Sequence, residues 1–174
     1  MNLATNANCP VCCKEMQFHW ETLEVPYFGE AMVIAGVCSC GFRNSDTILL
    51  TQKEASRYTL EVTAVEDLDA RVIRSSSGTI RVPELGIDVE PGYASESYIS
   101  NVEGVLDRIE DIVAFATRSA REAGNVESTR RGEAILEKID LVRKGQFRLT
   151  FVIEDPLGNS AIASKKAVKS PLDV

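Results

Sequence analysis

Histidine is almost absent: His19 is the only one in 174 residues. That scarcity excludes the catalytic β-barrel centres of the cupin type, which gather several imidazoles and a carboxylate around one metal. It also leaves a nucleophilic serine or cysteine with no second candidate base. Basic residues are in deficit too, with 19 Lys and Arg against 26 Asp and Glu, a net charge of −7 and a pI near 4.9. Electrostatic capture of a phosphate backbone needs the opposite balance. The deficit is sharpest over residues 59–97, which carry eight acidic and three basic groups. Long apolar runs are missing: the longest, Ala31–Val37, is far short of the roughly 20 residues that span a bilayer. The opening MNLATNANCP shows neither the basic flank nor the apolar stretch of a secretory leader, so a cytoplasmic location is expected.

What is present is a concentration of cysteine. All five lie in two clusters, Cys9, Cys12 and Cys13, then Cys38 and Cys40. In a reducing compartment such clusters point to thiolates on a metal rather than to disulfides. Cys9-Pro10-Val11-Cys12 has the two-residue spacing with which a tight turn aims two sulfurs at one ion. Cys38-Ser39-Cys40 has one intervening residue, and in an extended segment residues i and i+2 share a face. Gly41 then permits a sharp exit. Cys9, Cys12, Cys38 and Cys40 are therefore the expected ligands of one structural Zn2+, a closed four-thiolate site with no position for a reactive water. Neighbouring side chains diverge, so Cys13 is read as a spare thiol, with Cys13 in place of Cys12 as the alternative. An enzyme is not expected.

Between the clusters Phe18, Trp20, Thr22 and Glu24 alternate, Pro26-Tyr27-Phe28-Gly29 breaks the run, and Met32-Val33-Ile34-Ala35 resumes it. This predicts a hairpin whose far ends meet at the metal, with His19 on its surface. Phe18, Trp20, Tyr27, Phe28 and Phe42 could stack bases, which makes a zinc-ribbon nucleic-acid-binding protein the alternative function. Lys14, Arg43, Lys53 and Arg57 form no basic stripe, and nucleic acid is the less favoured partner.

The remainder reads as a separate body. Residues 1–56 form the finger, 57–163 a mainly β domain, and 164–174 an aperiodic, flexible tail. Short strands are predicted at Tyr58–Ala64, at Ala70–Ser75 and Thr79–Val82 as a hairpin around Ser76-Ser77-Gly78, and at Pro83–Val89. A helical hairpin interrupts them over about 100–144. Ser100 and Glu103 are spaced as a capping box. Val102, Val105, Leu106, Ile109, Ile112, Val113 and Ala116 form one apolar stripe, and Ile135, Leu136, Ile139 and Val142 form the second. Gly145 is placed as a C′ residue. Phe147, Leu149, Phe151 and Ile153 return to strand, ended by the turn Asp155-Pro156-Leu157-Gly158-Asn159-Ser160.

The motifs CPVC…LEVPYFGE…CSCGFRNSD, SSSGTIRVPELGIDVEPG, YISNVEGVLDRIEDI and FVIEDPLGNS, in that order, resemble the ZPR-type zinc-finger family over roughly residues 9–163. The resemblance implies a single-module, archaeal-type member; eukaryotic members carry the finger-plus-body unit twice. It implies a zinc ribbon of the translation-initiation-factor-two kind, followed by a jelly-roll-like double-stranded β-helix carrying a helical hairpin. It also implies a non-enzymatic, chaperone-like protein that binds the GTPase translation elongation factor one-alpha and assists its folding. Arg43, Pro83, Glu84, Asp155, Asn159 and Ser160 match family motifs and are the candidate partner contacts. The one-residue second knuckle departs from the two-residue spacing of the two-module members.

Overall fold

In the computed structural model, which describes residues 2–26 and 28–172, the alternation of the first segment resolves into four strands rather than two. They are β1 (Asn2–Asn8), β2 (Glu15–Val25), β3 (Gly29–Val37) and β4 (Arg43–Leu49), joined as one antiparallel sheet in that order. The expected β2–β3 hairpin forms, with Phe18 opposite Gly36 and Trp20 opposite Ile34. Its turn includes Tyr27, which lies outside the described residues. The flanking strands are too polar for an alternation reading, because β4 is exposed over nearly its whole length. The Trp20 indole N–H donates to the Thr5 hydroxyl at 2.8 Å and ties β1 to β2.

The chain divides into two units, Met1–Lys53 and Glu54–Val174. The second is built from a five-stranded and a three-stranded antiparallel sheet. The five strands are β5 (Ser56–Val62), β7 (Thr79–Val82), β8 (Ile87–Val89), β10 (Leu149–Asp155) and β12 (Val168–Pro171), in the order β12-β5-β10-β7-β8. The three are β6 (Arg71–Arg74), β9 (Tyr98–Asn101) and β11 (Ala161–Ala163), in the order β11-β6-β9. Leu60, Val62, Ile80, Val82, Phe151 and Ile153 from the first sheet share one core with Val72 and Ile162 from the second. Two sheets around a common apolar interior make a jelly roll. β10 pairs on both edges, with β5 and β7, so its apolar residues are buried almost without interruption.

Between β9 and β10 the chain makes α1 (Val102–Glu122) and α2 (Val126–Arg143). Val102, Val105, Leu106 and Ile109 of α1 and Ile139 and Val142 of α2 enter the core. Ile112 and Ala116 of the expected stripe are exposed and Val113 is half-buried, so the stripe does not run the full length. The distal half of α1 contacts α2 instead, with Thr117 buried beside Gly132.

Four further expectations are corrected. β6 and β7 are not a hairpin: the Ser75–Gly78 turn carries the chain from one sheet to the other. The cap of α1 is Asn101, whose side chain accepts from the Gly104 N–H at 2.8 Å, and not Ser100 one residue earlier. Pro83–Leu85 is a turn of 3-10 helix, started by a proline whose fixed φ suits the first helical position, before β8 begins. The expected flexible tail contains β12, whose Val168 and Lys169 pair with Thr59 and Tyr58 of β5. A polar edge strand with one apolar residue has no periodicity to reveal it.

Candidate metal centre

The β1–β2 and β3–β4 connections fold into two knuckles. In the first, the Cys9 N–H donates to the Lys14 carbonyl and the Cys13 N–H to the Cys9 carbonyl, each at 2.9 Å. In the second, the Cys38 N–H donates to Phe42 at 2.8 Å and the Gly41 N–H to Cys38 at 2.9 Å. Both reverse the chain so that the residue after the second sulfur takes a left-handed conformation, Cys13 at φ 58° and Gly41 at φ 92°. Cys38 and Cys40 therefore converge through a turn and not through the expected extended segment. The missing residue shortens the loop without removing the reversal.

The Sγ atoms of Cys9, Cys12, Cys38 and Cys40 all lie within 4.8 Å of one another. Cys9 and Cys40 are 3.7 Å apart, and Cys12 and Cys38 are 3.5 Å apart. Tetrahedral zinc–thiolate bonds require sulfur separations of about 3.8 Å, so these four donors fit one zinc ion. Cys13 is exposed and outside the group. Cys9 and Cys38 are buried against Met16, with Phe18 and Phe42 partly covering them. A side chain at Gly36 would strike the Phe18 ring at 2.8 Å and the Met16 methyl at 2.9 Å, so glycine lets that small apolar lid close over the sulfurs.

Crowding four acidic sulfurs sets their protonation against one another. The Cys40 N–H, together with the neighbouring thiols, lowers Cys38 to about 6. The Lys14 N–H favours the Cys12 thiolate as well, but burial and the other three sulfurs push Cys12 up to about 12. A divalent cation relieves that conflict by letting all four ionise together. When bound, zinc would cross-link the two hairpin ends and supply no reactive water. His19 is exposed on β2, as expected.

The partner-contact candidates separate. Arg43 and Pro83 are exposed. Glu84 is half-buried: its carboxylate accepts from the Thr150 N–H and hydroxyl at 2.9 and 2.7 Å, and its carbonyl from Lys138 Nζ at 2.8 Å. Asp155, Asn159 and Ser160 are buried, which corrects their assignment as contacts. Asp155 accepts from the hydroxyls of Ser75, Ser77 and Ser160 at 2.6, 2.7 and 2.7 Å, and from the Leu157 and Asn159 N–H groups. Burial alone would raise its pKa, but these donors hold it below the usual carboxylate value. The two motifs SSSG and EDPLGNS thus meet at one internal anion, joining the inter-sheet turn to the end of β10. The serines at 75–77 were the available signal.

A four-cysteine zinc-ribbon sheet linked to a jelly roll with an inserted helical hairpin defines the class of protein, and among the described residues no helix is long and apolar enough to cross a bilayer. Residues 3–48 match the ZPR1 zinc-finger domain and residues 66–172 the ZPR1 jelly-roll domain. The chain belongs to the ZPR1 zinc-finger family. It is 43% identical over 94% of its length to a ZPR1-like protein of Pyrococcus horikoshii, covering 74% of that protein. A ZPR1-like protein of Methanocaldococcus jannaschii is 37% identical over 89% of the chain and 78% of its own length. The zinc finger chaperone zpr1 of Schizosaccharomyces pombe is 26% identical over 89% of the chain, which spans 34% of that longer protein.

Proposed function

We propose that this protein is a non-enzymatic, zinc-stabilised interaction module of the cytoplasm that binds translation elongation factor one-alpha and assists its folding. The observation that carries the reading is the match of 89% of the chain to a relative named as a zinc finger chaperone. The partner itself comes from the family resemblance of the sequence motifs. The donor set supports a structural and not a catalytic metal, since four thiolates saturate a tetrahedral ion. An acidic chain suits a client with basic surface. Arg43 and Pro83 are the candidate contacts that solvent reaches, with Glu84 partly so.

The test is capture of the elongation factor from an extract of matched cells, with and without GTP, on the zinc-loaded protein. Retention of the factor, lost when Arg43 and Pro83 are replaced together by alanine, is the expected result. Retention of RNA without the factor would overturn it in favour of nucleic-acid binding.

A further inference from the structure

Four arginines of this chain are held in ion pairs, and two others meet at one aromatic ring. Arg57, Arg81, Arg121 and Arg143 each reach a carboxylate. Arg74 and Arg108 form no ion pair with any described residue, and both converge on the ring of Tyr98, at 5.7 and 4.2 Å from its centroid. The register explains the meeting: Arg74 on β6 is directly opposite Tyr98 on β9, and Arg108 arrives from α1. Arg74 is only 5% exposed. A guanidinium so far from water is costly unless an anion or a full set of acceptors compensates it.

Here the compensation is incomplete. Arg74 Nε donates to the Gly78 carbonyl at 2.9 Å and Nη1 to the Ser95 hydroxyl at 3.0 Å, both neutral acceptors. Nη2 has no acceptor among the described residues, and neither does the Tyr98 hydroxyl; neither atom is wholly shut off from solvent, so both are open to a ligand. Burial pushes the Tyr98 hydroxyl up, against the pull of both arginines, so the ring is a neutral phenol able to donate. Ser97, two residues from Ser95, is held in place by the Ser76 N–H at 3.0 Å. Arg108 and much of the 91–97 segment are exposed, which gives a ligand a way in. In a chain of net charge −7, two uncompensated positive charges at one ring are a local inversion of sign.

We propose that Arg74, Arg108, Ser95 and Tyr98 form a binding site for a dianionic phosphate group. Two guanidiniums match its charge and its bidentate geometry, and the serine and tyrosine hydroxyls supply further donors. A carboxylate would neutralise only one of the two cations. The source is either free phosphate or a phosphomonoester, and both present the same oxygens.

The experiment titrates the zinc-loaded full chain with inorganic phosphate, glycerol phosphate and acetate by calorimetry. Saturable phosphate binding is expected, with acetate failing to compete. Tighter binding of glycerol phosphate assigns the group to a monoester, and equal binding assigns it to the free ion. Arg108→Gln, on an exposed helix position that leaves the fold intact by its helical dichroism, weakens binding by at least about tenfold, and Arg108→Lys recovers part of it. Absence of saturable binding, equal competition by acetate, or undiminished binding by Arg108→Gln overturns the site.

Discussion

Removing zinc is expected to unfold the head while the body stands, and the chain carries its own reporter. Trp20 is the only tryptophan and lies on β2 of the first unit, whereas both helices belong to the second. Tryptophan emission therefore reads the head alone, and helical far-ultraviolet dichroism reads the body alone. Besides the cysteines, the large apolar side chains buried in the head are Met16, Phe28 and Ile34. Each contributes about 1.5–3 kcal/mol. Structural zinc contributes an apparent ~10–16 kcal/mol in zinc-finger peptides at pH 7, more than those three together. Without the ion, four ionisable sulfurs within 4.8 Å also oppose one another. A chelator titrated into the zinc-loaded protein should shift Trp20 to solvent-exposed emission and break its hydrogen bond to Thr5, with one zinc released per chain. The helical signal and its melting temperature should hold. Unchanged Trp20 emission after complete zinc loss would refute the reasoning, and so would simultaneous loss of the helical signal.

Other perturbations separate the body's supports. Asp155→Ala strips an acceptor from three serine hydroxyls and two backbone amides in a buried setting and should cost about 3–5 kcal/mol in denaturant melts; Asp155→Asn should cost less. Asp67 is held down at about 2, first by the hydrogen bond from Lys166. A depressed carboxylate stabilises the fold fully above its unfolded pKa, and that contribution is lost as pH falls from about 4 through about 2. The loss should be about 1–2 kcal/mol, discounted because Lys166 is largely exposed, and Lys166→Met should flatten the acid limb of the stability profile. Gly132→Ala would set a methyl 2.0 Å from Thr117 Oγ1 and 3.1 Å from its Cβ. Overpacking of about 1–3 kcal/mol should exceed the helix-propensity gain of about 1 kcal/mol, so the variant should melt lower. Cys13→Gly should keep one zinc per chain by metal analysis and lose no stability, since Cys13 already holds the backbone conformation that Gly41 holds in the other knuckle.

The body was legible wherever burial was one-sided. Leu60, Val62, Phe151 and Ile153 announce strands because their neighbours are polar or the run is continuously apolar, and the α1 stripe is clear through Ile109. Strand pairing was not legible. β6 and β7 are separated by a turn that looks like a hairpin turn, yet they enter different sheets. Nothing local distinguishes a reversal within a sheet from a corner between sheets, because the deciding contacts, Asp155 with Ser75 and Ser77, lie about 80 residues away in sequence. Edge strands β1, β4 and β12 escaped for the opposite reason: strands that bury little leave no pattern.

At the metal centre, thiol spacing carried the ligand set, because only a few geometries bring four sulfurs within reach of one ion. The reason attached to the second knuckle was incorrect: Cys38 and Cys40 meet through a reversal and not along a strand. Polar motifs are harder to read. Asp155, Asn159 and Ser160 looked like contacts because charged and hydroxylic residues favour surfaces, but a carboxylate saturated by five donors is stable inside. The same rule works in reverse for Arg74. Asp155 is buried and fully answered; Arg74 is buried and answered only by neutral acceptors. Burial with saturation marks a polar group as part of the scaffold, while a largely buried cation with one nitrogen still open marks a group that a ligand can complete. That contrast, which depends on partners and not on residue type, is why the second site could be reached only from the folded chain.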